Sequence, residues 1–108
     1  MTVSELAEKL QLNVFALPDP SRKVSGGYAG DLLSWVMGRA QPGQVWLTIM
    51  SNRNIVAVAT LADSSAVILT EDVPPDEEGA ERALERGGNL LGASGSTFDL
   101  AARIASVL

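Results

Sequence analysis

Apolar residues in this chain fall alternately into helical stripes and short continuous runs. Leu6 and Leu10 stand four apart behind Thr2-Val3-Ser4-Glu5, whose Thr and Glu have capping-box spacing; the pattern predicts a short helix to about Lys9. Asn13 to Leu17 reads as a short strand, stopped by Pro18-Asp19-Pro20. Val24 opens an extended segment ahead of Gly26-Gly27. Asp31 is placed to cap a helix with Leu32, Leu33, Val36 and Met37 as its apolar face, and Gly38 to Gly43 ends it. Val45 to Met50 reads as a strand. Asn52 is placed to cap a helix through about Leu61, with Ile55, Val56, Ala59 and Leu61 as core positions.

Ala66 to Leu69 is a continuous apolar run, as expected of a strand covered on both faces. Pro74-Pro75 leads into a predicted helix from about Asp76 to Arg86. Its acids come first and its arginines last, which complements the macrodipole. Gly87-Gly88 stops it, and Asn89 to Leu91 reads as a brief strand. Ser96 and Asp99 have capping-box spacing for a last helix to about Val107. Strands alternating with helices predict an α/β fold: a single three-layer domain over residues 1–108, with a mainly parallel sheet of four to five strands and flanking helices. The spacing recurs but the residues do not, so there is no sequence repeat.

Composition narrows the function. With 46% apolar and 19% charged residues, the 108-residue chain is globular and one domain in size. Its net charge of -5 and only eight scattered basic residues argue against a nucleic-acid surface and leave no basic stripe for a membrane. There is no Cys and no His, which excludes thiol chemistry, a Ser-His-Asp triad, Cys or His metal sites and any disulfide. Met1 to Leu10 carries Glu5, Glu8 and Lys9, unlike a signal peptide, and the expected location is cytoplasmic. No cofactor is expected.

Ligands of open α/β sheets collect beyond the carboxyl ends of the strands. Here those ends are Ser51-Asn52-Arg53, Thr70-Glu71-Asp72 and Gly92 to Thr97, each followed by a helix N-terminus that offers N–H groups to an anion. Arg53 is the sharpest single residue, because a cation in the first turn of a helix opposes the macrodipole. It is read either as an anion ligand or as an ion-pair partner of Glu71 or Asp72. Gly26-Gly27-Tyr28-Ala29-Gly30 does not satisfy the dinucleotide fingerprint and reads as a tight turn aiming the next helix. Gly92-Ala93-Ser94-Gly95-Ser96-Thr97 lacks the Gly-Lys-Ser/Thr ending of a phosphate loop and reads as a turn with a helix cap. Glu71, Asp72, Asp76, Glu77 and Glu78 read as dipole-matching surface charges rather than a Mg²⁺ site. Trp35 and Trp46 are assigned to the core or to an interface, within reach of one another.

With these residues placed, the chain resembles a DRTGG domain, a family named for an Asp-Arg pair, a Thr and a Gly-Gly pair. The Asp-Arg position matches Asn52-Arg53, the Thr matches Thr70, and the Gly-Gly position falls on Glu71-Asp72. Gly30 to Met37 resembles the family's first core helix, and Thr97-Phe98-Asp99-Leu100-Ala101 its last helix entry. Arg and Thr are kept, while Asp becomes Asn and Gly-Gly becomes Glu-Asp. DRTGG domains serve as regulatory or spacer domains beside CBS-domain pairs in some pyrophosphatases and within some phosphate acetyltransferases, and they resemble the N-terminal domain of the HPr kinase/phosphatase. The resemblance implies a homodimer, with a larger enzyme or regulatory partner.

The expected function is therefore a non-catalytic regulatory or partner-binding module, with a small anionic ligand at Asn52, Arg53, Thr70, Ser94, Ser96 and Thr97. No catalytic and no metal residue is assigned. The alternatives are a phosphoryl- or acyl-transfer enzyme, for which a carboxylate of raised pKa would have to serve as the base, and a pure interaction or dimerisation domain presenting Tyr28, Trp35 or Trp46.

Overall fold

In a computed structural model that describes all 108 residues, ten elements follow one another: α1 (Val3–Lys9), β1 (Asn13–Ala16), β2 (Gly26–Ala29), α2 (Leu33–Arg39), β3 (Gln44–Thr48), α3 (Ile55–Leu61), β4 (Ala66–Leu69), α4 (Gly79–Arg86), β5 (Leu90–Gly92) and α5 (Thr97–Val107). The fold is α/β. One five-stranded sheet has the order β1-β5-β4-β3-β2. β2 to β5 run parallel, while β1 pairs antiparallel with β5 at the edge.

Strand alternation sorts the core into two clusters. Val45, Leu47, Ala66, Ile68 and Leu91 point to one face, where α1 supplies Val3, Leu6 and Ala7 and α5 supplies Leu100 and Ile104. Trp46, Val67, Leu69 and Leu90 point to the other, against Val36 of α2, Ile55, Val56, Val58 and Ala59 of α3 and Ala83 of α4. Both faces of β4 are buried, which is why its sequence shows no alternation. No helix is long and apolar enough to cross a membrane.

The caps explain where several helices begin. Thr2 and Glu5 form the predicted capping box, and Ser96 Oγ accepts from Asp99 N at 3.0 Å. Backbone and hydroxyl of Thr2 hold the Glu5 carboxyl below its ordinary value of 4.5. Asp76, Glu77 and Glu78 lie ahead of α4, not inside it. Arg82 reaches back from the helix to pair with Asp76 and Glu78, and this guanidinium holds the Asp76 carboxyl down.

Other expectations are corrected. Asp31 does not cap α2, whose N-cap is Leu32 without a side-chain bond. Of the predicted apolar face of α2, Val36 is buried, whereas Leu32 and Met37 are exposed. Asn52 does not cap α3, which starts three residues later; Asn52 Oδ1 instead accepts from Asn54 N at 2.9 Å. Leu61, assigned to the core, is 72% exposed because it lies on the outer side of the last turn of α3. Gly26-Gly27 is not a turn: it opens the edge strand β2, in register with Gln44-Val45. Trp46 is fully buried, with Nε1 donating to Gly30 O at 2.8 Å. Trp35 is half exposed and stacks under Arg39, not on Trp46.

Candidate functional site

The connections of the sheet decide where its carboxyl edge opens. α2, α3 and α4 all return over one face, whereas the chain leaves β5 for the opposite face as α5. A crevice forms where neighbouring connections part to opposite faces. Here that place is between the carboxyl ends of β4 and β5.

Thr70 and Thr97 meet at this point of the edge, and Ser96 caps α5 directly before Thr97. Thr70 is fully buried, and its Oγ1 lies 2.6 Å from Thr97 Oγ1. Glu71 N donates to Gly95 O at 2.9 Å, and Asp72 N donates to Ala93 O at 3.0 Å. Thr97 N, the first N–H of α5, donates to Glu71 Oε2 at 3.4 Å. The loop after β4 is thus laced to the loop before α5, and a carboxylate of the chain itself stands at the helix start. Ser94 is exposed on that second loop.

Glu71 and Asp72 both have φ of 59°, in the left-handed region. The region costs an ordinary L-residue roughly 1–2 kcal/mol and glycine almost nothing. These are the two positions onto which the DRTGG resemblance places a Gly pair.

Asn52 and Arg53 sit one strand away, beyond β3. Arg53 is exposed and makes no ion pair with Glu71, Asp72 or any other acid. It precedes α3 by two residues, outside the first turn, so the conflict with the macrodipole that singled it out is weaker than its sequence position implied. Asn52, held by its own turn, does not orient it.

Sequence reasoning missed a third link at this edge. The Asp31 carboxylate accepts from Thr48 Oγ1 at 2.7 Å and from Ile49 N at 3.0 Å. Thr48 Oγ1 in turn accepts from Met50 N at 3.1 Å. Asp31 therefore ties the exit of β2 to the exit of β3, and an Asp that follows a strand carries this signal as readily as that of a helix cap.

None of the six candidate ligand residues lines a groove. A groove of about 210 Å³ lies beside the crevice, walled by Asn13, Phe15, Asp72 to Pro75, Gly92 and Ala93. A second, of about 260 Å³, runs between β2 and α5 along Gly27, Ala29, Leu47, Ala101 and Ile104. No carboxylate of the chain is buried; the buried polar residues are Thr48, Ser65, Thr70 and Asn89.

No family model matches the sequence, and no curated protein does. A solved structure does resemble the fold: the CBS and DRTGG domains of the regulatory region of Clostridium perfringens pyrophosphatase, complexed with its activator diadenosine tetraphosphate. The TM-score is 0.69 at 15% identity, over 95% of this chain and 45% of the other. The likeness shows a shared fold. This chain spans less than half the length of that one.

Proposed function

We propose that the chain is a non-catalytic regulatory module, a DRTGG-like domain that senses a small anionic ligand at the carboxyl ends of its strands. The ligand class is a nucleotide or another phosphate-like anion. The sensed state passes to a partner, either a larger enzyme or a second copy of this chain in a homodimer. One observation carries the reading: the Glu71 carboxylate stands against the first N–H of α5, where a ligand anion would sit at a helix N-terminus. At 3.4 Å the bond is long, and an incoming phosphate can displace it.

Two further facts support it. The left-handed backbone at Glu71-Asp72 suits the motif placement, because a Gly pair would adopt it without strain. The solved structure that shares the fold is the regulatory region of an enzyme, complexed with a nucleotide activator. The transferase alternative finds less support. Thr70 and Thr97 bond hydroxyl to hydroxyl, and Glu71 bonds a backbone N–H, which leaves neither hydroxyl paired with a base.

Calorimetric titration with AMP, ATP and acetyl phosphate tests the proposal. Wild type is expected to bind weakly, Arg53→Ala more weakly still, and Glu71→Gly about tenfold more tightly, since removing the internal carboxylate frees a charge-binding N–H. Absence of heat with all three ligands at millimolar concentration, for wild type and Glu71→Gly alike, overturns the ligand half of the proposal. The interaction-domain reading draws on α2, whose Leu32, Trp35 and Met37 are each at least half exposed.

A further inference from the structure

The groove beside the crevice has a chemistry of its own. Register along the antiparallel edge runs Asn13↔Gly92, Val14↔Leu91 and Ala16↔Leu90, so Phe15 is an extra residue in a β-bulge. Strand alternation would put Phe15 and Ala16 on opposite faces. The bulge instead lets both pack on the same core cluster. Its ring consequently lies over Gly92, where a Cβ would stand 2.6 Å from Phe15 Cε2. The smallest residue and a turned aromatic line the groove together, and Val73, Pro74 and Pro75 complete its apolar lining.

An apolar lining with an aromatic ring and two prolines, plus two polar side chains, defines what fits. Asp72 contributes a carboxylate, which only accepts when ionised. Asn13 contributes an amide, which both donates and accepts, and its side chain makes no hydrogen bond within the chain. No Lys or Arg lines the groove, so an isolated anion gains nothing there. Its volume of about 210 Å³ leaves room for one ring system.

We infer that this groove binds an amino-bearing heteroaromatic ring of the kind a purine or cytosine base presents. The ring lies against Phe15 and Pro74-Pro75, its amino N–H donates to Asp72, and Asn13 meets the neighbouring ring nitrogen. Base recognition by stacking plus hydrogen bonds along one edge has this composition. The inference stands without the anion reading, since it uses none of Arg53, Ser94, Ser96 and Thr97.

Uncharged probes separate the two. Adenosine, which carries no phosphate, is titrated into ¹⁵N-labelled protein, with N6,N6-dimethyladenosine as the probe lacking the amino N–H. Adenosine is expected to shift the amides of Phe15, Asp72 and Ala93, and dimethyladenosine to bind about tenfold more weakly. Asp72→Gly removes the carboxylate yet keeps the left-handed backbone, so it folds and binds adenosine about tenfold more weakly. Unmoved groove amides at millimolar adenosine overturn the inference. Equal binding of the two nucleosides, or undiminished binding by Asp72→Gly, also overturns it. Inorganic phosphate run in parallel reports on the crevice alone, so either site can fail without the other.

Discussion

Glu71 and Asp72 share a backbone conformation and differ in how well they tolerate it. Asp can hydrogen-bond locally in the left-handed region, whereas Glu has a longer, freer side chain and gains less. Strain relief of about 1–2 kcal/mol against a glycine entropy cost of about 0.5–1 kcal/mol leaves Glu71→Gly more stable by about 0.5 kcal/mol. Asp72→Gly should be neutral or slightly destabilising. Urea midpoints of the two variants check this order; a loss at Glu71→Gly would mean that its contact with Thr97 outweighs the strain. This scale also shows what single residues disclosed in the sequence. Thr70 and Thr97 are neighbours because both follow strands that lie side by side. Arg53 was legible as exposed and unusual, but its lack of a partner was not. Glu71 turns toward α5 for reasons of backbone geometry that no residue pattern announces.

Elements were legible where burial is complete and misread where it is not. β4 and α5 carry patterns strong enough to fix them, since one is apolar throughout and the other has a cap and a buried stripe. The extended segment expected from Val24 lies a little later, as β2: glycines weaken strand propensity, yet parallel pairing to β3 on one side holds Gly26 to Ala29 extended. α2 was read as a core helix, but with only Val36 fully inside it is a shelf that turns Leu32, Trp35 and Met37 outward. Trp35 is 52% exposed and stacked on Arg39, an arrangement worth about 0.5–1 kcal/mol. Trp35→Ala should therefore cost the monomer no more than about 1 kcal/mol. If α2 is the pairing face, the same change lowers the mass seen by light scattering from dimer to monomer. A dimer that survives the substitution moves the interface elsewhere, and the open edge of β2 is then the next surface to test.

At the scale of the molecule, two carboxylates contribute to the acid response. Glu5 and Asp76 are both held below their ordinary values, so each favours the folded state while ionised. Their contribution is full above the unfolded values of 4.5 and 3.8 and is lost as pH falls through the lower folded ones. Urea midpoints should be flat near neutrality and fall below about pH 4.5, and Glu5→Gln with Asp76→Asn should flatten that fall. An unchanged slope in the double variant would assign the acid response to other carboxylates. The overall architecture was legible because four consecutive βα steps leave few topologies open. The exception is β1: an antiparallel edge strand is too short to announce its direction, and its place next to β5 depends on contacts some 75 residues away. That pairing has a consequence during synthesis. β1 can join the sheet only once Leu90 to Gly92 have left the ribosome, roughly 4–15 s after Ala16 at ordinary elongation rates. For that interval Phe15 and Ala16 lack their partner strand, whereas Val3 and Leu6 already have β3 and β4 to pack on, so the first two elements of the chain are fixed at different times.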